Sequence, residues 1–208
     1  VLLLFGLTAT AQASTYGVHE CTSSQTEAAD AQIEGSTTGY TTSNACGTNA
    51  FLQVTSGGAV GPGQSRAWTF TAPTGTKINR ATGTYLMQGI ADNAGHRPFF
   101  FYRGIGAAAD TIEGWSGAGS GGGGFDSNLF GIGALRRIGA GVFCNGGSCP
   151  ARNGIYSRIG DLGLQMEDTV APDSPVLSGP ALGGWINSTR QLNFNVSDTG
   201  AGPYLGGT

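Results

Sequence analysis

Short stretches of alternating polar and apolar residues, separated by glycine-rich turns, recur from Tyr16 to Asp198. No segment places apolar residues at the i, i+3, i+4, i+7 spacing of a buried helix face. That combination confines the chain to all-β architectures, in which each short strand buries one face against a second layer. The expected fold is an antiparallel β-sandwich or a β-barrel.

The strand readings run as follows. Tyr16–Cys21 alternates. Ser24-Gln25-Thr26-Glu27 has the form of a capping box and opens either a short helix through Ile33 or a surface loop. Residues 35–50 are rich in Gly, Ser, Thr and Asn and read as loop. Phe51–Val54 and Arg66–Thr71 are strands, the latter with Trp68 and Phe70 on one face. Thr84–Ile90 follows a glycine turn. Pro98–Arg103 is an aromatic run without polar alternation, which suits a strand covered on both faces. Thr111–Trp115 is another strand. Ile132–Ile138 and Gly139–Cys144 read as two consecutive strands, and Leu162–Glu167 is the cleanest alternation. Gly117–Gly124 has the composition of a flexible linker and reads as a mobile loop inside one domain.

Glycine makes up 38 of the 208 residues, far above its usual share of about 7%, but in no G-X-Y period, which excludes collagen. The net charge is -3, with ten Lys and Arg in all and Lys77 the single lysine. Neutralising phosphates needs clustered basic side chains, so nucleic acid is an unsuitable partner. A hydrophobic content of 39% excludes wholesale disorder.

The ends carry their own signals. Val1–Leu7 is apolar, and Ala11-Gln12-Ala13 follows in the A-x-A order of a secretory cleavage site, so residues 1–13 read as the remainder of a signal peptide. The apolar run is much shorter than the ~20 residues of a membrane span. At the other end, residues 169–175 are a proline-containing linker, and 176–208 begin a second domain that includes the alternating stretch Gln191–Asp198. The first domain is therefore expected over residues 14–168, secreted or at the cell surface.

Four cysteines follow the signal-like segment, and an oxidising compartment makes disulfides the default. Cys144-Asn145-Gly146-Gly147-Ser148-Cys149 centres on turn dipeptides that bring its ends together, so Cys144 pairs with Cys149 and Cys21 with Cys46. A zinc site is the rival reading; its ligands usually come in closely spaced pairs, which Cys21 and Cys46 do not form.

Three features then coincide. Arg66–Ile78 contains the string W-x-F-x-A-P-x-G-T-x-I. Cys144–Cys149 precede the alternating strand Leu162–Glu167. Asp168-Thr169-Val170-Ala171-Pro172 is followed by Leu182-Gly183-Gly184-Trp185 and by Ser197-Asp198-Thr199-Gly200-Ala201-Gly202. Together these resemble modular secreted proteins of actinobacteria, in which a lectin-like jelly-roll sandwich precedes bacterial immunoglobulin-like repeats. The resemblance implies an architecture and carries no catalytic motif.

The residues offer no catalytic constellation either. There is no G-x-S-x-G, no H-E-x-x-H and no E-x-D-x-x-E string, and only His19 and His96 supply imidazoles. Glu167 and Asp168 are adjacent, so a strand would point them to opposite faces. Asp198 stands in a turn with too few oxygens for calcium and reads as a turn former. No cofactor or metal is expected. Binding asks less. Asp92, Asn93, His96 and Arg97 cluster in a turn between apolar strands, and Trp115 precedes the glycine stretch; these five are the candidate ligand contacts, with a core role as the competing reading of Trp115. Trp68 and Trp185 are assigned to cores. The function expected is a non-catalytic extracellular binding or adhesion module with a glycan or other cell-surface ligand. A carboxylate-dependent carbohydrate hydrolase and a purely structural stalk are the alternatives.

Overall fold

The computed structural model describes residues 15–24, 30–91, 94–114, 118–128 and 133–170, together with two short strands at Val176–Ser178 and Asn193–Asn195. Every regular element among them is a strand: β1 (Thr15–Glu20), β2 (Ala31–Gly35), β3 (Tyr40–Asn44), β4 (Phe51–Ser56), β5 (Ser65–Thr71), β6 (Thr76–Gly89), β7 (His96–Gly104), β8 (Thr111–Gly114), β9 (Gly119–Asp126), β10 (Leu135–Cys144), β11 (Tyr156–Asp168), β12 (Val176–Ser178) and β13 (Asn193–Asn195). The chain forms two compact units. One spans Tyr16–Ala72 and Lys77–Met166; among the described residues, the other takes in Thr15, Pro73–Thr76, residues 167–170 and the two short strands β12 and β13.

The larger unit is an antiparallel sandwich. In one layer β2, β5, β10, β7 and β8 lie side by side, and in the other β9, β6, β11, β4 and β3, with β1 beside β11. A single pair, Leu135 with Ile78, joins β10 to β6 and makes the two layers one curled sheet. The core between them follows from the period-two pattern: Leu52 and Val54, Trp68 and Phe70, Ile138, Val142, Ile159 and Leu162 all point inward and are buried. Polar bonds tie one layer to the other. The Trp68 indole N–H donates to the Gln53 carbonyl at 3.1 Å, and the buried Ser157 hydroxyl to the Phe99 carbonyl at 2.9 Å.

The aromatic run of β7 is covered on both faces. Phe100 joins the main core, while Phe99 and Phe101 form a second cluster with Ala67, flanked by Phe143. Over that cluster the Arg137 guanidinium lies 4.9 Å from the Phe101 ring and pairs with Glu34. Gly139 in β10 makes room for the ring: a Cβ there would stand 2.6 Å from Phe101 and 2.2 Å from the Trp68 carbonyl oxygen.

Five expectations change. The glycine read as a turn before Thr84 is Gly83, which lies inside the continuous strand β6 and pairs with Phe125. The polar stretch 35–50 contains strand β3, whose Tyr40–Asn44 pair with Ser56–Leu52, so cross-strand pairing overrides its loop-like composition. The segment after Ser24 enters strand β2 by Ala31, with residues 25–29 outside the described set, and Ile33 pairs with Trp68 across β5. Leu135–Cys144 is one strand, because Gly139 continues the ladder to β5 and β7 without a turn. Gly119–Gly124, read as part of a mobile loop, belongs to β9 and pairs with Gly89–Thr84. Close approach explains one glycine there: a Cβ at Gly122 would stand 2.3 Å from the Tyr85 carbonyl oxygen. At the end of β9, a two-point hydrogen bond from Arg80 holds the Asp126 carboxyl below its usual range.

Both disulfides pair as the turn chemistry predicts, Cys21 with Cys46 and Cys144 with Cys149. In the smaller unit, the Thr169 N–H and hydroxyl both donate to the Gly75 carbonyl, at 2.8 and 2.7 Å, and β12 and β13 form an antiparallel pair. Residues 171–175, Trp185 and Asp198 lie outside the described residues.

Tyr40 makes the fold sensitive to alkali. Its hydroxyl donates to the Gln64 carbonyl at 3.1 Å, and burial pushes its pKa up to about 12 from an ordinary 10.0. An unfolded chain releases this proton near pH 10 and the folded one near 12, so the folded state holds more protons in between. Stability is therefore intact below about pH 10 and falls as pH rises towards about 12. Urea unfolding across that window should show a steeper loss for the native chain than for Tyr40→Phe; identical slopes would refute it.

Candidate functional site

The outward face of β3, β4 and β11 gathers an unusual set of side chains. Register fixes it: Tyr156 pairs with Thr55, Arg158 with Gln53 and Gly160 with Phe51. On the other side of β4, Thr41 and Ser43 pair with Thr55 and Gln53. The alternate residues Leu52, Val54, Ser157 and Ile159 are buried, so this odd-and-even split sends Phe51, Gln53, Thr55, Tyr156 and Arg158 outward.

These outward groups touch one another. The Arg158 guanidinium carbon lies 4.2 Å from the centre of the Phe51 ring and 4.5 Å from that of Tyr156. Each contact is a cation–π attraction, strongest when water is excluded. The Arg158 Nε–H donates to Gln53 Oε1, and the Gln53 amide nitrogen donates in turn to the Thr55 hydroxyl at 2.6 Å. The result is a strip of ring and guanidinium surface edged by amide and hydroxyl groups. Phe51, Tyr156 and Arg158 are each half-buried, so part of the strip faces solvent. It stands on paired strands rather than loops, which fixes its geometry.

The residues singled out in the sequence fall elsewhere. Asp92, Asn93 and Trp115 lie outside the described residues. His96 opens β7 and is wholly buried; its Nε2–H donates to the Pro150 carbonyl at 2.8 Å and its ring meets Tyr40 edge-on. Arg97, the next residue of β7, points the other way, pairs with Phe143 of β10 and is half-buried. Thus the structure separates His96 from Arg97 and brings neither to the strip. Sequence reading took Phe51 as part of a strand and passed over Tyr156 and Arg158. The available signal was the alternation Tyr156-Ser157-Arg158-Ile159, cut short by Gly160-Asp161, where Asp161 adopts φ 50°. Among the described residues, no three His, Cys, Asp or Glu side chains come together as a metal site.

No protein-family model and no curated protein matches the chain. Among solved structures it is similar to carbohydrate-binding modules of family 29, one at 15% identity and a TM-score of 0.39, covering 74% of this chain and 89% of that one. A mutant of a module of the same family matches at 15% identity and a TM-score of 0.40, covering 74% and 92%. A family 61 module in complex with β-1,4-galactotriose matches at 10% identity and a TM-score of 0.33, covering 66% and 88%. At such scores the function has to be argued from this chain's own residues.

Proposed function

We propose that the chain is a non-catalytic extracellular module that binds carbohydrate, within a larger modular surface protein. The observation that carries this reading is the strip Phe51–Arg158–Tyr156 with its edging of Gln53, Thr55, Thr41 and Ser43. A pyranose has an apolar C–H face and a rim of hydroxyls. Its C–H face packs on aromatic and guanidinium surface, and its hydroxyls bond to amides and hydroxyls around it. The two disulfides and the Ala11-Gln12-Ala13 cleavage pattern support an oxidising, extracytoplasmic setting.

Affinity electrophoresis through gels containing soluble polysaccharides tests the reading. The native chain should be retarded by at least one of them. Tyr156→Ala should weaken that retardation by about 30-fold, the effect of losing a central aromatic contact worth roughly 2 kcal/mol. Its thermal midpoint should move little, because Tyr156 is half-buried and outside the buried core. Unretarded migration of the native chain in every gel would leave a structural spacer as the better description.

A further inference from the structure

We infer that the carbohydrate held by this face is anionic, and that Arg158 receives its carboxylate or sulfate. The inference rests on the carbohydrate reading above and narrows it to polysaccharides bearing uronic acids or sulfate esters.

Arg158 is held still but left unsatisfied. The Phe51 and Tyr156 rings flank its guanidinium at 4.2 and 4.5 Å, and its Nε–H is used by Gln53. Gln53 is itself oriented by its bond to Thr55. Among the described residues nothing accepts from Nη1 or Nη2, and no carboxylate pairs with Arg158. Three other arginines of the same sandwich are treated differently. Arg80 pairs with Asp126, Arg103 with Asp110, and Arg137 with Glu34 and Asp110. A chain with net charge -3 has carboxylates to spare, yet sets none of those described against this cation.

Chemistry then selects the ligand. With two rings 4.2 and 4.5 Å from its carbon and its Nε–H committed to Gln53, the guanidinium has its Nη N–H groups left to offer a ligand. These groups present donors in a fixed fork, whose best acceptor is a pair of oxygens on one anionic group. A uronate carboxylate and a sulfate ester both offer such a pair, while a neutral sugar offers single hydroxyls. Because Gln53 and the rings already hold the side chain, little rotamer freedom is lost when the anion arrives.

The test uses the full chain in affinity electrophoresis against polygalacturonate, dextran sulfate, neutral galactan and dextran. One anionic polymer should bind more tightly than its neutral counterpart, and which one distinguishes carboxylate from sulfate. Arg158→Gln should weaken that binding by about 10- to 100-fold. Arg158→Lys, which keeps the charge without the fork, should recover only a small part. Equal binding of neutral and anionic polymers, or undiminished binding by Arg158→Gln, overturns the inference and leaves the carbohydrate reading intact. Full binding by Arg158→Lys overturns it as well, since a point charge would then suffice. Binding to none of the four removes both readings.

Discussion

Replacing Trp68 by alanine should lower the free energy of unfolding by about 3–5 kcal/mol, the usual cost of deleting a large buried aromatic. The residue is 8% exposed and belongs to the main core. Its indole also donates across the sandwich to the Gln53 carbonyl. Truncation therefore removes packing and strands a half-buried acceptor. Trp68→Phe separates the two effects: it keeps most of the ring and loses the bond, so it should cost about 1–2 kcal/mol. Urea unfolding of both variants provides the check. Since whole domains are stable by only about 5–15 kcal/mol, the alanine variant should sit near the edge of folding. A loss under 1 kcal/mol for Trp68→Ala would mean that the layers are not held together at this point.

The second large effect concerns the disulfides. Cys21 and Cys46 are 25 residues apart, Cys144 and Cys149 only 5. All four sulfurs belong to buried residues, so the packing cost of removal is similar for the two pairs. What differs is the freedom returned to the unfolded chain. On the chain-entropy relation the longer loop is worth about 3.5 kcal/mol and the shorter about 2 kcal/mol. Cys21→Ala with Cys46→Ala should therefore destabilise the protein more than Cys144→Ala with Cys149→Ala, as read by midpoints of denaturant unfolding. The reverse order would show that native-state packing around Cys149, rather than loop closure, sets the difference.

Sequence reading succeeded where side chains alternate and failed where they are missing or polar on both faces. Arg66–Thr71 and Leu162–Glu167 announce their buried faces through period two, and the structure buries Trp68, Phe70, Leu162, Leu164 and Met166 accordingly. β3 has a single buried residue, Tyr40, and four polar ones, so its strand character comes from β4 beside it. β9 gives no pattern at all over Gly121–Gly124, because glycine has no side chain to alternate. The candidate face was hidden for another reason. Phe51 and Arg158 are far apart in the chain, and only the antiparallel register of β4 on β11 makes them neighbours. Local spacing carries no information about such a pair. By contrast, the Cys144–Cys149 pairing was legible because the turn between the two cysteines is itself local.

A strand of glycines also has no preferred side. When an ordinary strand slips by one residue, its whole buried set is turned out to water, and that penalty locks the alignment. Along Gly121–Gly124 a slip exchanges hydrogen for hydrogen and goes almost unpunished. The alignment of β9 on β6 is consequently decided at its extremities. Phe125 must stay in the core, Asp126 must meet Arg80, and the Gln88 amide grips the Gly119 carbonyl. Mutational drift in the middle is limited by space alone, as at Gly122, whereas the few anchors at either end carry the entire positional memory of the strand.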